Sequence, residues 1–377
     1  MKKAIQFGGG NIGRGFIGAV LSKAGYHVVF ADVNENLLSS LNAADHYTVH
    51  IMDSNSYDIE IKNFSAVNSG GDQIVNEICE AEIITTAVGL RILQFVAPAI
   101  AKGIGARKER GIETPLNIVA CENGIRATSV LKEEVYKHLG HAETRWADIH
   151  VGFADCSVDR IVPPVRSENP IDVVVEEYYE WNVERDSLIE PIPEIPGMNL
   201  ADNLLAYIER KLCTLNTGHC ITAYLGYAKG YATIDEAIED PEIFAIVKAA
   251  MQESGENLVK KFGFDHDTHF HYIDKIIARF KNPYLKDDVT RVGREPLRKL
   301  SGNDRLILPA KSCVERGLPC TNLVKGIVAA LRYDNEADPQ SVEIKNTIAS
   351  VGVKKAFCKF SGLDESHPLV EKVLEAF

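Results

Sequence analysis

The sequence predicts an α/β fold: a doubly wound, mostly parallel sheet in the first half of the chain, followed by a second, mainly α-helical domain. Strand and helix patterns alternate through the first half, which is the order that builds a parallel sheet with helices on both faces. Beyond the proline-rich segment "EPIPEIPGMN" (190–199) the patterning becomes mainly helical, and such a cluster marks a boundary. We therefore predict a first domain over residues 1–192 and a second over residues 193–377.

The first predicted strand, residues 4–7, leads into a glycine-rich turn. "GGGNIG" has the spacing G-x-G-x-x-G, a helix is predicted from about residue 13 to 24, and the strand "HVVFAD" follows. This context is typical of a Rossmann-type dinucleotide site, where glycines let the backbone approach a pyrophosphate and a helix amino terminus supplies N–H donors. A loop that serves only tight packing is the alternative. The candidate cofactor-binding residues here are Gly8, Gly10, Asn11, Ile12, Gly13 and Asp32.

The acidic residue at the end of the second strand indicates which dinucleotide binds. The Asp32 carboxylate can accept hydrogen bonds from a ribose diol, whereas it would repel a 2′-phosphate. No arginine follows it in "DVNEN", so NAD is favoured over NADP. Arg14, just after the glycine turn, either helps to hold the diphosphate or is solvated.

Three later segments continue the alternation. "EIITTAVG", "LNIVACENG" and "DIHVGFA" are predicted as strands, with helices from Ile92 and from about Ala127 after the first two. Ligands of doubly wound sheets lie beyond the carboxyl ends of the strands. Ordinary turn chemistry is the alternative explanation of these strand ends. The candidate cofactor-side residues are Val88, Gly89, Glu122 and Asn123.

A predicted helix through "KLCTLNTGHC" places polar side chains on an apolar face. At about 100° per residue, Lys211, Asn216 and His219 fall in or at the edges of the apolar arc. Burying an unpaired ammonium group is costly, so such a lysine indicates chemistry. The alternative is a snorkelling lysine beside a core histidine and a capping asparagine. The apolar arc consists of Leu204, Leu205, Ile208, Leu212 and Leu215.

The charge balance reverses between residues 275 and 311. This stretch carries ten basic and four acidic residues, a local charge of +6, in a chain whose net charge is −12. Arg291, Arg294 and Arg298 lie three and four residues apart and share a face only if the helix continues through Pro296. Guanidinium groups suit phosphate oxygens, so the stretch predicts an anionic substrate. A solvated charged surface is the alternative.

The remaining features argue against other classes of protein. The acidic balance disfavours non-specific nucleic-acid binding, and no segment has the roughly 18 apolar residues of a membrane span. Eight cysteines without a C-x-x-C pair argue against a structural zinc site. The histidines of "FDHDTHFHY" lack the i, i+4 pair of zinc enzymes and are typical of a polar helix start. We expect a cytoplasmic protein without metal, membrane or nucleic-acid partners, as a monomer or homodimer.

With its amino-terminal NAD site and Lys-x-x-x-x-Asn-x-x-His pattern, the chain resembles the polyol-specific long-chain dehydrogenases and reductases over its whole length. The segments that carry the resemblance are "FGGGNIGRGFIG", "ACENGIRAT", "GFADCSVDRIVP", "KLCTLNTGH" and "RFKNPYLKDDVTRVGREPLRKL". Within that family the mannitol-1-phosphate branch is the nearest. The resemblance implies a reversible, metal-independent, NAD-dependent oxidation of D-mannitol 1-phosphate to D-fructose 6-phosphate.

The resemblance also implies roles for individual residues. Lys211 would be the general acid/base, with Asn216 and His219 completing the catalytic motif. Where family members acting on unphosphorylated sugars carry asparagine, "FADCSVDRI" has Asp155, which fits the phosphate-sugar branch. Arg185 of "EWNVERD" stands where those members tend to have an acid. The candidate substrate-binding residues are therefore Asp155, Arg185, Arg291, Arg294 and Arg298.

Two other functions remain open at this point. A hexuronate reductase of the same superfamily, acting on fructuronate or tagaturonate, can also use the arginine cluster for its carboxylate substrate. A non-catalytic dinucleotide sensor would bind NAD in the first domain and a protein in the second. The sensor leaves the lysine, asparagine and histidine of the helix without a purpose.

Overall fold

The structure is a computed structural model that describes residues 2–53, 56–162, 169–284 and 286–377. The chain forms two compact units, residues 1–207 and residues 208–377. The strands are β1 (Lys3–Phe7), β2 (His27–Asp32), β3 (Tyr47–Ile51), β4 (Tyr57–Ile61), β5 (Phe64–Asn68), β6 (Ile83–Thr86), β7 (Leu116–Ala120), β8 (Val151–Phe153), β9 (Cys156–Asp159), β10 (Val173–Val175), β11 (Glu180–Glu184) and β12 (Asn199–Ala201).

The helices of the first unit surround its sheet, and those of the second unit make up almost all of it. The helices are α1 (Ala19–Lys23), α2 (Glu35–Ala43), α3 (Gln73–Glu80), α4 (Leu93–Glu109), α5 (Ala127–Tyr136), α6 (His141–His150), α7 (Leu204–Lys211), α8 (Thr217–Lys229), α9 (Ile234–Glu239), α10 (Pro241–Phe262), α11 (His266–Phe280), α12 (Val289–Gly293), α13 (Pro296–Lys299), α14 (Ile307–Glu315), α15 (Thr321–Leu331), α16 (Pro339–Ser361) and α17 (Pro368–Ala376). Two π-helical segments, Gly13–Gly18 and Leu212–Asn216, precede α1 and α8.

The main sheet has six strands in the order β5-β2-β1-β6-β7-β8. Every neighbouring pair in it is parallel. The order reverses beside β1, which is the switch point at which doubly wound sheets bind ligands. The predicted fold class, a doubly wound parallel sheet followed by a mainly helical part, is confirmed.

Alternate residues of β1 supply the two faces of this sheet. Ala4 packs in one apolar core with Val28 and Phe30, whereas Ile5 and Phe7 pack in the other. Both faces are covered, so β1 is buried on both sides. Its polar residue Gln6 is also fully buried, and its side-chain oxygen accepts a hydrogen bond from the Thr85 hydroxyl at 2.7 Å. The glycine turn that follows is therefore carried on a strand that is held from both sides.

Two small sheets complete the first unit. One has the order β10-β3-β4 and the other β12-β11-β9. Strand β12, at Asn199–Ala201, pairs in parallel with β11 and so extends the first unit beyond the proline-rich segment. The predicted division after residue 192 falls inside this unit.

Two predicted local features are wrong. "DIHVGFA" was expected to be extended throughout, but its first three residues, 148–150, end α6, and only Val151–Phe153 forms a strand. Glu143 caps the start of that helix by accepting a hydrogen bond from the Gly140 amide at 2.6 Å, and the helix ends at His150, directly before β8. Leu205, which the periodicity places in the apolar arc, is 62% exposed.

The helices of the described residues include none that is both long enough and apolar enough to cross a membrane. In the second unit, α8 is buried along most of its length and packs against α9, α10, α12 and α15. This central position explains why the sequence around it is rich in glycine, cysteine and threonine, whose small side chains allow close packing.

His269 is buried in the second unit, and neither of its ring nitrogens has a hydrogen-bond partner among the residues that the structure describes. It is 2% exposed and lies parallel to the Phe264 ring with the centroids 5.9 Å apart. Burial, with smaller contributions from the charges of Arg210 and His266, lowers the pKa of His269 to about 4. The folded state therefore holds this ring neutral at pH values where an unfolded chain would protonate it.

We predict that this histidine makes the protein acid-sensitive. Because its folded pKa lies below the unfolded value of about 6.5, its contribution to stability is complete above that pH and falls as the pH decreases towards 4. His269→Leu should flatten the decline of Tm between pH 6.5 and 4. The matched control is His271→Leu, which removes an exposed histidine of the same helix and should keep the wild-type slope. Equal slopes for all three proteins would contradict the prediction.

Candidate functional site

The glycine turn after β1 is closed by backbone contacts that only glycine permits. Gly8 has φ +89°, and a Cβ added to it would lie 2.5 Å from the Ala87 carbonyl oxygen. A Cβ at Gly13 would lie 1.9 Å from the Gly8 carbonyl oxygen. Gly10, in contrast, is exposed and has nothing within 4 Å of its Cβ position. The turn thus leaves its backbone open at Gly10, where a pyrophosphate needs access.

Asn11 and Ile12, exposed and half-buried, lead from this turn into the first π-helical segment. The amide groups at the start of a helix have no partners within it and favour anions. This geometry fits a dinucleotide, with the first turn of the helix facing the phosphates. The residues predicted from the spacing stay the candidates for holding NAD on this side.

Arg14, for which the sequence left open a contact to the diphosphate or a solvated position, has a structural role. Its guanidinium is buried and donates hydrogen bonds to the carbonyl oxygens of Gly9 and Ile171. It is not solvated, and its donors are directed at backbone carbonyls. Arg14 therefore fastens the glycine turn to the segment before β10.

Asp32 ends β2 and accepts three backbone hydrogen bonds. Its Oδ2 accepts from the Gly9 amide at 2.7 Å, and its Oδ1 accepts from the amides of Val33 and Asn34 at 2.8 and 3.0 Å. The carboxylate is thus held at the end of the strand beside the glycine turn. Its Oδ1 already accepts two hydrogen bonds, so the lone pair that remains for a ribose hydroxyl is on Oδ2.

Glu122 ties the ends of β6 and β7 together. One oxygen accepts from the Thr86 hydroxyl at 2.7 Å and from the Val88 amide at 2.9 Å, and the other accepts from the Gly89 amide at 2.9 Å. The carboxylate is buried, whereas the neighbouring Asn123 is exposed. Glu122 therefore fixes the loop at Val88 and Gly89 through these hydrogen bonds and does not present its own oxygens to solvent.

Asp155 and Arg185 belong to the first unit and both have partners. The buried Asp155 accepts from the amide and hydroxyl of Ser129, at 2.9 and 2.6 Å, in the first turn of α5. Arg185 is exposed and donates to Asp202 at 3.1 Å. Asp155 is thus committed to a helix terminus, which is a structural use of a carboxylate.

The catalytic candidates of the second unit lie around a π-helical segment. Lys211 ends α7, Asn216 ends the segment Leu212–Asn216, and His219 lies in the first turn of α8. All three are half-buried, while most of the residues between them are fully buried. The half-buried residues from 211 to 219 are thus these three polar side chains and the apolar Leu212, and they form the accessible edge of a buried helix.

Two residues that hold His219 were missed in the sequence. Its Nε2 donates to Oδ2 of Asp287 at 3.3 Å, and its ring stacks on Phe280 with the centroids 5.0 Å apart. Burial alone would raise the pKa of Asp287, but hydrogen bonds from His219 and Arg291 outweigh burial and keep the pKa below its usual value. Asp287 is therefore a buried anion that fixes the orientation of the imidazole.

The arginines of the basic stretch do not share one helix. Helix α12 ends at Gly293, Glu295 has φ +58°, and α13 begins at Pro296. Pro296 thus separates them into different elements, since proline starts a helix more readily than it continues one.

Their partners also differ. Arg291 pairs with Asp287 through two hydrogen bonds, and Arg298 pairs with Glu295 at 3.0 Å and lies 3.7 Å from Asp304. Arg294 is exposed, and within the described parts of the chain its guanidinium has no ion-pair partner. It is therefore the arginine of this stretch that is free to bind an anion.

A buried lysine supports the turn at Arg294. Lys299 donates to the Arg294 carbonyl oxygen and is 3% exposed. Burial, together with the nearby charges of Arg305 and Arg298, lowers its pKa to about 8. The lysine holds the backbone of Arg294 while the guanidinium remains outside.

The histidine-rich segment begins α11, as predicted. His266 pairs with Glu256 and Asp267, His269 is buried, and His271 is exposed on the same helix. Over residues 2–53, 56–162, 169–284 and 286–377 no group of three potential metal ligands comes together.

Comparison with known proteins identifies both parts of the chain. Residues 2–197 match the family model of the mannitol dehydrogenase Rossmann domain, and residues 203–376 match that of the mannitol dehydrogenase C-terminal domain. A solved D-sorbitol dehydrogenase in substrate-free form is 17% identical, with a TM-score of 0.81 over 99% of this chain and 91% of that chain. The ternary complex of Pseudomonas fluorescens mannitol 2-dehydrogenase with NAD and D-mannitol is also 17% identical, with a TM-score of 0.72 over 99% of this chain and 90% of that chain. At this identity the two structures support the fold alone.

We predict that Glu122→Gln weakens dinucleotide binding. The amide has one acceptor oxygen in place of two, so one donor at Val88 or Gly89 loses its partner. We expect the Kd for NADH to rise by about tenfold, which corresponds to about 1.4 kcal/mol. Titration of NADH fluorescence measures it. Glu82→Gln, at the opposite end of β6 where the carboxylate accepts from Tyr26 at 3.1 Å, is the control and should leave the Kd unchanged. A lower Tm with an unchanged Kd would assign Glu122 to stability only.

Proposed function

The chain belongs to the mannitol dehydrogenase family and is an NAD-dependent polyol oxidoreductase, and we propose that its reaction is the reversible oxidation of D-mannitol 1-phosphate to D-fructose 6-phosphate. The observation that supports a phosphorylated substrate is Arg294, an exposed guanidinium without an ion-pair partner among the described residues, in a stretch of local charge +6. In a chain of net charge −12, such a local reversal attracts anions.

The proposed chemistry uses Lys211, Asn216 and His219. They belong to the helical stretch that runs from α7 through the segment Leu212–Asn216 into α8, which we call the catalytic helix. Bound NAD accepts the hydride from the carbinol carbon. Lys211 takes the hydroxyl proton in oxidation and returns it in reduction. Asn216 donates an amide N–H to the oxygen on which negative charge develops. His219 orients the substrate hydroxyl.

Asp287 explains how His219 can do this. Because its carboxylate accepts from Nε2 at 3.3 Å, a neutral imidazole carries its proton on that nitrogen and presents a lone pair at Nδ1. A substrate hydroxyl can then donate to Nδ1. The stacked Phe280 ring, 5.0 Å away, limits rotation of the imidazole. Asp287 is thus a positioning residue in this proposal.

The proposed roles of the other predicted residues follow from their partners. Asp155 and Glu122 stabilise the loops around them. Arg291 acts through Asp287, with which it pairs. Arg185 and Arg298 already pair with carboxylates, so each gives up an ion pair if it binds phosphate. Arg294 has no ion pair to give up among the described residues, so we propose it as the main phosphate-binding residue.

The test of the function is NADH oxidation, followed with fructose 6-phosphate and with unphosphorylated fructose in parallel. Turnover of the phosphate alone supports the proposal. Comparable turnover of both ketoses would indicate a mannitol 2-dehydrogenase activity, and turnover of fructuronate or tagaturonate instead would indicate a hexuronate reductase. Binding of NADH without turnover of any of these would favour a dinucleotide sensor.

The test of the chemistry is Lys211→Ala. We expect kcat to fall by about 100-fold or more, since general acid–base catalysis contributes about that much, while the Kd for NADH stays near the wild-type value. A variant that kept most of its kcat would end the proposed role of this lysine.

The test of the phosphate site is Arg294→Ala. Because the guanidinium would make a charge-assisted contact to the substrate phosphate and none to the dinucleotide, we expect KM for fructose 6-phosphate to rise about tenfold while KM for NADH changes less than about twofold. The control is Arg316→Ala, an exposed arginine of the same unit outside the basic stretch, and it should leave both constants unchanged. Equal rises in both constants for Arg294→Ala would remove the assignment.

A further inference from the structure

The catalytic helix is interrupted by the π-helical segment Leu212–Asn216, which sits between the proposed base and the other two catalytic residues. A π turn closes i→i+5 and so takes up one more residue than an α turn. Such segments in otherwise α-helical stretches are often found at functional sites. The extra residue changes which side chains share a face of the helix.

The change in the angular positions of these side chains around the helix axis can be estimated from helix geometry. In an uninterrupted α-helix, at about 100° per residue, Asn216 and His219 would lie about 140° and 80° around the axis from Lys211. One additional residue in the turn rotates both back by about 100°, to about 40° and −20°. The three side chains then span about 60° in place of about 140°. The π turn therefore brings the base, the amide and the imidazole onto one face.

A wide turn needs support because its carbonyl groups leave the regular i→i+4 pattern. Two fully buried hydroxyl groups provide it. Ser254, on α10, donates to the Cys213 carbonyl oxygen at 2.7 Å. Thr217 lies 3.1 Å from the Leu212 carbonyl oxygen and 2.6 Å from that of Arg305, so its single hydrogen is shared between two acceptors.

We propose that Thr217 and Ser254 are positioning residues that keep the π turn open and thereby hold Lys211 on the same face as Asn216 and His219. Neither hydroxyl needs to touch substrate. Without them the turn can relax to α-helical geometry, which would rotate Lys211 away from its partners by about 100°. The inference rests on the proposed function, because it assumes that these three residues act together.

The control for this proposal lies one turn further along the same helix. Thr222 is fully buried, and its hydroxyl donates to the Gly218 carbonyl oxygen at 2.8 Å. That contact is an ordinary i→i−4 bond within α8. Thr222→Val therefore removes a buried threonine hydroxyl from the same helix without touching the π turn.

The experiment compares Thr217→Val, Ser254→Ala and their combination with Thr222→Val in the full chain. We expect the combined variant to lose about 10- to 100-fold in kcat while the Kd for NADH and KM for the ketose stay within about threefold, since the loss is confined to the chemical step. Thr222→Val should keep kcat within about twofold. Thr217→Ser, which restores the hydroxyl, should recover most of the kcat lost in Thr217→Val.

Hydrogen exchange gives a readout that needs no substrate. Peptides covering residues 212–218 should change their exchange rates in the combined variant, because the backbone amides of the turn change their hydrogen-bond acceptors. Peptides covering α15 should keep their exchange rates. If the combined variant does not fold, as judged by its circular dichroism, each single variant is measured in the same way. An unchanged kcat together with unchanged exchange over 212–218 would overturn the proposal, and so would an equal loss of kcat in Thr222→Val.

The result can be separated from a failure of the proposed function. Each ratio of kcat is taken on whichever ketose the wild-type enzyme reduces, so inactivity towards fructose 6-phosphate affects only the substrate assignment. If Lys211→Ala keeps its activity, the role of the lysine fails. If Lys211→Ala is inactive and the combined hydroxyl variant is fully active, it is the positioning role that fails.

Discussion

The contact between the backbones of Gly8 and Gly13 is the constraint on which the first unit depends. A side-chain carbon at Gly13 would lie 1.9 Å from the carbonyl oxygen of Gly8, so no other residue lets β1 pass into the helix over this distance. The same turn is held from one side by the hydrogen bond from the Gly9 amide to Asp32 and from the other by Arg14. Because the turn is fixed by contacts on both sides of Gly10, its backbone cannot fold over that residue. The backbone at Gly10 therefore stays accessible to a ligand.

Both units place their chemistry where a helix departs from regular geometry. The segment Gly13–Gly18 follows the dinucleotide turn, and Leu212–Asn216 separates the proposed base from its partners. In the first, small residues allow the irregular backbone to pack closely, since a Cβ at Gly18 would come within 2.8 Å of the Phe30 ring. In the second, buried hydroxyls serve the displaced carbonyl groups. A departure from the α-helical pattern leaves polar groups that must be satisfied. Side-chain donors reach the carbonyl groups of the first segment too, since Tyr47 donates to that of Arg14 at 2.9 Å and Arg160 to that of Gly15 at 3.1 Å.

The sequence predicted what local patterns encode and missed what distant partners decide. The succession of strand, glycine turn, helix and strand at the amino terminus follows from spacing and periodicity within a few residues, and so does the helix through Lys211. Arg14 could not be assigned, because its carbonyl partner at Ile171 is far away in the chain. Leu205 fitted an ideal helical wheel, yet it is exposed, since a helix that is packed by its neighbours need not bury every apolar position of that wheel. Asp287 lies in a charged stretch whose residues show no helical or strand periodicity, so the sequence does not place its side chain. Only the fold shows that it lies beside His219.

The three backbone hydrogen bonds to Asp32 have a consequence for redesign of the cofactor preference. A carboxylate that selects NAD by repelling a 2′-phosphate is usually exchanged for a neutral residue when NADP is wanted. Here the same oxygens also accept from the amides of Gly9, Val33 and Asn34. An aliphatic replacement would remove the repulsion and unfasten the turn in a single change. A side chain that keeps an acceptor oxygen without the charge, such as asparagine or serine, is the better starting point. The residue that discriminates between NAD and NADP is here also a residue that holds the turn in place.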